Sequence, residues 1–480
     1  MNWENLISTT RRKDIHGDRA QPLNAGGDRT EIERDYDRVL FSTPVRRLAD
    51  KTQVFPLEKN DSVRTRLTHS HEVSNIARSI GVALVYRQGS EFSSDRYRRD
   101  LPSILATVGL AHDIGNPPFG HQGEYAIGDW FKKNRAIAFD FLSCDDLMLP
   151  PEVKERMRLD FENFEGNAQA LRVLTKLQIV NDNFGLNLTC GALAALMKYP
   201  VTSEKTDKSN IATKKFGCFH SELDVVSDVW VQTGLKEGLR HPLTFLMEAS
   251  DDIAYSVLDV EDAVKKGLVS YRDLISYLET KSDGETEVDD VIKDVCDRAQ
   301  AQHKKHRHAN LSPSEINDLS TQMFRVFAIG KMVSAVIEAF LDRQSEIESG
   351  NLKNELISIS GAALLCKKLK KFAFENAYKH RSVLELELEG HKVIHSIMDM
   401  LWPAIVSRGN PQQETKGHPG TPYEKYAYGR ISENYRRVFE SPSENLPLGY
   451  RRCQLLADMI SGMTDSFAIS FERELRGLRC

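Results

Sequence analysis

The sequence predicts an all-α protein with at most a short β-hairpin. Apolar residues recur at helical spacing in segment after segment, alternating runs of β type are scarce, and Gly/Pro- or Ser/Thr/Lys-rich stretches separate the periodic segments. In chain order, Glu31–Leu40 is charged and amphipathic, and 45–48 continues in that style. Residues 71–86 place Val73, Ile76, Ala77, Ile80, Ala83 and Leu84 on one face, and 101–112 repeats the pattern with Ile104, Leu105, Val108 and Leu110. Helices are also predicted over 167–177, 193–197, 243–258, 323–341, 355–374, 383–401 and 451–472. Residues 52–57 and 392–395 have strand-like composition, compatible with strand, helix or loop. Residues 201–216, 281–314 and 407–421 read as loops or insertions. No internal repeat is visible. The best division is an N-terminal segment over 1–60, a core over 61–275 and a second helical region over 276–480.

Composition excludes several function classes. The 480 residues carry 64 Lys plus Arg against 69 Asp plus Glu, a net charge of −5, which argues against a globally basic nucleic-acid coat and leaves room for a local basic groove. With 40% hydrophobic and 28% charged residues, the chain reads as soluble and globular. No apolar run is long enough to span a membrane, and the first residues have neither the apolar core nor the cleavage site of a secretory signal. The 7 cysteines include no CxxC pair and read as reduced thiols, so the expected compartment is the cytoplasm.

Four segments carry chemistry. They are Arg64-Thr65-Arg66-Leu67-Thr68-His69-Ser70-His71-Glu72, Ala111-His112-Asp113-Ile114-Gly115-Asn116-Pro117-Pro118-Phe119-Gly120-His121-Gln122-Gly123-Glu124, Phe164-Glu165-Gly166-Asn167-Ala168-Gln169, and Glu248-Ala249-Ser250-Asp251-Asp252-Ile253-Ala254-Tyr255-Ser256-Val257-Leu258-Asp259. In the second, an apolar helix must stop at Gly115 and Pro117-Pro118, leaving His112 and Asp113 at a helix end. Imidazole nitrogen and carboxylate oxygen together suit Mg²⁺, Mn²⁺, Fe²⁺ or Zn²⁺, and His69 with an Asp from the fourth segment would complete four ligands. His121 and Glu124 stand at i, i+3, a spacing that serves general acid–base work or an ordinary acidic first turn of a helix. Asp251, Tyr255 and Asp259 fall at i, i+4 and i+8 on one face, which is either a ligand-binding row or part of a solvated acidic face.

These words in this order resemble the bacterial deoxyguanosinetriphosphate triphosphohydrolases within the HD-domain phosphohydrolases. His69, His112-Asp113 and Asp251 match the H…HD…D pattern. The stretch from Thr43 through Leu48 to Lys51-Thr52-Gln53, and the later Arg430-Ile431-Ser432-Glu433-Asn434-Tyr435, are also similar to the family. The resemblance implies hydrolysis of dGTP, and of other deoxynucleoside triphosphates, by water attack at the α-phosphorus, releasing deoxynucleoside and inorganic triphosphate. It implies His69, His112, Asp113 and Asp251 as ligands of Mg²⁺ or Mn²⁺, and His121 and Glu124 as the catalytic pair. It also implies Arg66 and Lys198 on the phosphates, Gln53 and Asp259 on the sugar 3′-hydroxyl, and Tyr255 against the deoxyribose, excluding a 2′-hydroxyl. Asp251 is preferred to Asp252 because only it stands in the i+4, i+8 relation to Tyr255 and Asp259.

The resemblance further implies a homo-oligomer, commonly a hexamer, and single-stranded DNA or a nucleotide as effector. The C-terminal region is the expected place for base reading and assembly. Two other readings compete: another HD hydrolase, such as a 5′-nucleotidase or phosphodiesterase, and a regulatory protein that senses nucleotides or single-stranded DNA. His71, two residues from His69, should point away from the site, and His303, His306 and His308 read as a solvated basic loop.

Overall fold

The apolar spacing after Arg66 closes into a 21-residue helix, Arg66–Tyr86, which packs against Asp95–Ala111 in the centre of the protein. The computed structural model describes residues 1–17, 28–57, 60–89, 91–143, 149–178, 182–280, 289–308, 310–409, 420–441 and 446–479. Among the described residues there are 24 α-helices, and the only β-type pairings are the isolated bridges Arg11↔Thr189 and Thr52↔Thr65. The fold is all-α.

No hairpin forms at 52–57. The backbone N–H of Thr52 goes to the Asp465 carboxylate instead of to a partner strand. Residues 392–395 lie inside the Arg381–Ser407 helix, where Val393, Ile394, Ile397 and Met398 are buried at helical spacing. Within the expected loop over 281–314, residues 281–288 lie outside the described residues, and the reading is corrected at Asp290–His306, a helix capped by Asp289 and burying Ile292, Val295 and Ala299. His303 is therefore not on a solvated loop. It stacks on Tyr271 at 4.8 Å and its Nδ1 lies 2.8 Å from Ser320 Oγ. Residues 201–216 do run as turns and a short 3₁₀ segment, while 410–419 lie outside the described residues.

Pro242–Lys265 is the most deeply buried long helix. Its carboxylates do not form a solvated face, since Asp259, Glu261 and Asp262 are all buried. Arg64 meets this charge with ion pairs of 2.6 Å to Glu261 and to Asp262, and a third of 2.8 Å to Glu72. A buried guanidinium with carboxylates on its forked donors is the arrangement that makes buried charge tolerable. The predicted helix over 451–472 is two helices, Leu448–Ser461 and Asp465–Leu478, broken at Gly462 and restarted by Thr464, whose hydroxyl caps Phe467 N–H. The predicted 355–374 segment is likewise divided into Leu356–Ile359 and Ala363–Ala373, and then passes into a π-helical turn, Phe374–Tyr378.

Candidate active site

The Asp95–Ala111 helix delivers His112 and Asp113 at its C-terminal end, facing His69 on Arg66–Tyr86 and Asp251 on Pro242–Lys265. His69 Nε2 is 3.2 Å from Asp251 Oδ1, and His112 Nε2 is 3.6 Å from the same oxygen. One ligand atom from each of His69, His112 and Asp251 lies within 4.8 Å of the others. Asp113 stands beside this trio, with its Oδ2 3.5 Å from His112 Nε2. That oxygen also accepts from Arg66 Nη1 at 2.5 Å, and Oδ1 accepts from Asn116 Nδ2 at 2.6 Å. Burial alone would raise the Asp113 carboxyl, but Arg66 and the two histidines hold it down to about 2.

These donors fit a divalent cation. His112 Nδ1 is 2.7 Å from the Gly109 carbonyl, which can only accept, so Nδ1 carries the proton and Nε2 offers a lone pair. That Nε2 is buried and bonded to nothing in the protein. Spacings near ~3 Å are those of adjacent ligands around one ion with bonds of about 2.1 Å.

The Asp113–Phe119 turn leads into Gly120–Lys133, whose first turn carries His121 and Glu124. His121 is exposed and Glu124 buried, with His121 Nδ1 2.8 Å from Glu124 Oε2. The other carboxylate oxygen accepts the backbone N–H of Gly166 at 2.8 Å, where the Gly166–Arg172 helix begins. The hydrogen bond and charge of Glu124 raise the His121 pKa, and Glu124 itself is lowered because His121 outweighs the effect of burial.

Tyr255 and Asp259 follow Asp251 along Pro242–Lys265, while Gln53 lies in the segment before Arg66–Tyr86. Gln53 Oε1 is buried and accepts no hydrogen bond. Tyr378 donates its hydroxyl to Asp259 Oδ2 and stacks on Tyr255 with ring centroids 6.0 Å apart. Burial pushes the Asp259 carboxyl up to about 7, against the bond from Tyr378. Asp252, adjacent to the cluster, turns instead to Lys370 Nζ at 2.6 Å. Arg66 is buried and gives Nε to the Thr52 carbonyl at 3.0 Å. Lys198 Nζ lies 3.3 Å from Glu248 Oε1, and Glu248 raises its pKa against burial. His71 is exposed, as its spacing from His69 required.

The sequence reading missed four residues near these groups. Lys51 is buried, with Nζ on the carbonyls of Asn116 at 2.5 Å and Ser461 at 2.8 Å, and burial lowers its pKa to about 7. Lys215 pairs with Glu165 at 2.7 Å, and both Glu124 and Glu165 raise its pKa against burial. Tyr378 and Asp465 complete the set. Lys51 lies within the quoted Lys51-Thr52-Gln53 word and was legible there; the other three sit in segments with no distinguishing pattern.

Residues 66–167 match the model of the HD domain family. The chain is 36% identical, over all of both sequences, to the deoxyguanosinetriphosphate triphosphohydrolase-like protein of Listeria monocytogenes. This chain belongs to the deoxyguanosinetriphosphate triphosphohydrolase-like family of HD-domain phosphohydrolases. A like-named protein of Synechocystis is 32% identical over all of both chains. The deoxyguanosinetriphosphate triphosphohydrolase of Salmonella paratyphi A is 32% identical over 92% of this chain and 93% of its own. The HD match takes in His69, His112, Asp113, His121 and Glu124, while Asp251 comes from a helix beyond it. HD membership implies a divalent metal, which suits the donors described above.

Proposed function

We propose that this protein hydrolyses dGTP, and other deoxynucleoside triphosphates with it, to deoxynucleoside and inorganic triphosphate. The observation that carries the reading is the His121–Glu124 pair set beside the His69, His112 and Asp251 cluster, in a chain matching its relatives end to end. A Mg²⁺ or Mn²⁺ ion held by His69, His112, Asp113 and Asp251 would offset phosphate charge and polarise a phosphoryl oxygen. Arg66 and Lys198 add fixed positive charge for the triphosphate. Glu124 favours the protonated form of His121, so His121 Nε2 is the proton donor to the departing 5′-oxygen as water attacks the α-phosphorus.

The free Gln53 oxygen and the Asp259 carboxylate are the acceptors for a 3′-hydroxyl, and Tyr255, backed by Tyr378, packs against the sugar where a 2′-hydroxyl would stand. Incubation of the purified protein with dGTP and Mg²⁺ or Mn²⁺ should release triphosphate and deoxyguanosine. Release of orthophosphate or pyrophosphate would overturn the reading.

A further inference from the structure

The helix that presents His121 and Glu124 carries Asp129 further along, and this residue faces His391 and His395 on Arg381–Ser407. His391 and His395 are i, i+4 on that helix, so both imidazoles lie on one face. His391 Nε2 and His395 Nε2 each lie 3.3 Å from Asp129 Oδ2, and the rings stack with centroids 4.3 Å apart. The ligand atoms of all three fall within 4.8 Å of one another. His395 Nε2 is buried and makes no hydrogen bond. A tetrahedral ion with bonds of 2.0–2.1 Å places its ligands ~3.3 Å apart, the spacing found here between the oxygen and each nitrogen.

We propose that Asp129, His391 and His395 form a second metal site, for a Zn²⁺-class transition ion, that clamps the Gly120–Lys133 helix to Arg381–Ser407. Two imidazoles and one carboxylate favour Zn²⁺, Co²⁺ or Ni²⁺ over Mg²⁺, which prefers oxygen ligands and retains its waters. All three side chains are partly exposed, so a water can complete the coordination of an ion held there. One group competes for the site: Lys133 Nζ lies 2.7 Å from the same Asp129 oxygen. Its side chain is 62% exposed, so it can swing into water when the oxygen takes an ion.

The clamp adjoins the contact that seats the active-site turn. Gly390, next to His391, lies so close to Phe119 that a Cβ there would come within 2.5 Å of the ring. Phe119 has φ 61° and precedes the first turn of the His121 helix. The metal is structural, and the proposal does not depend on which nucleotide is hydrolysed.

The test is Zn²⁺ binding to the full chain after chelator treatment, followed by calorimetry and by the rise in Tm, with Co²⁺ absorption as a spectroscopic check. A His69→Ala/Asp251→Ala chain should still bind one equivalent of Zn²⁺, and adding His395→Ala should weaken that binding at least tenfold and abolish the Tm rise. In an otherwise unaltered chain, H391Q/H395Q should bind one equivalent fewer than wild type, and K133A should bind its Asp129-site equivalent severalfold more tightly. Unchanged stoichiometry in H391Q/H395Q, or no Zn²⁺ bound by the folded His69→Ala/Asp251→Ala chain, would overturn the proposal and leave a histidine pair merely packed against Asp129.

Discussion

The backbone N–H of Gly166 reaches Oε1 of Glu124 at 2.8 Å, and a Cβ on Gly166 would fall 2.7 Å from that oxygen and 2.1 Å from Asn116 Oδ1. Glycine is therefore required by close approach: the start of one helix must come within hydrogen-bonding range of the carboxylate that orients His121. Gly166→Ala should push Glu124 and Asn116 off their partners. Overpacking of this kind costs ~1–3 kcal/mol, so the fold should survive with a lowered Tm. The kcat for dGTP should drop by about tenfold or more, the scale on which a displaced acid–base group acts. A variant with wild-type kcat would show that the Gly166 contact is not needed to place Glu124.

The same carboxylate sets the pH dependence. Glu124 raises the His121 pKa, and a proton donor is active only while protonated, so activity should fall as pH rises through that raised value. Glu124→Gln removes the charge that favours the imidazolium and leaves one acceptor oxygen for two donors, His121 Nδ1 and the Gly166 N–H. The alkaline limb of kcat should then move to lower pH, toward the ordinary histidine value of about 6.5. A pH–rate profile of the two proteins measures this, and a limb that stays in place would remove His121 from the donor role.

Tyr378 links the two residues proposed to hold the sugar, donating to Asp259 while it stacks on Tyr255. Tyr378→Phe keeps the ring and loses the donor, so the KM for dGTP should rise severalfold with a smaller change in kcat. Tyr255→Ala should instead narrow the preference for dGTP over GTP. Asp259 also makes stability depend on pH. Its carboxyl goes from an ordinary 3.8 to about 7 through burial, so the folded protein holds a proton the unfolded chain has lost. That contribution is complete below about 4 and disappears as pH rises through about 7. The Tm difference between wild type and Asp259→Asn should therefore shift against wild type over this window.

Periodicity made most of the helices legible, because apolar residues at helical spacing in the Arg66–Tyr86 and Asp95–Ala111 helices meet the core. It failed where the cause was not local. The break at Gly462–Thr464 follows a continuous apolar pattern, and Asp290–His306 is masked by charge on its outer face. The candidate site was readable where its residues share a word, as His121 and Glu124 do. Tyr378 is 119 residues from Asp259, and His391 and His395 face Asp129 from a distant helix, so only the fold could bring them together.

Asp465 shows how the C-terminal helices reach the site. It is buried at the start of Asp465–Leu478, accepts the backbone N–H groups of Thr52 at 3.0 Å and Phe119 at 2.9 Å, and also takes the Thr52 hydroxyl. One carboxylate thus ties the segment carrying Gln53 to the turn that precedes His121. Asp465→Asn replaces one acceptor oxygen by an NH₂ group, which cannot face either backbone donor. A buried donor left unpaired costs about 1–3 kcal/mol, and the loss falls on Thr52 or Phe119. Turnover of dGTP should fall and its KM rise in a protein whose Tm drops only modestly, whereas Asp50→Asn, on the exposed partner of Ser466, should leave both unchanged. If Asp465→Asn lowers Tm but leaves kcat and KM at wild-type values, the carboxylate stabilises the fold without placing Gln53 or His121.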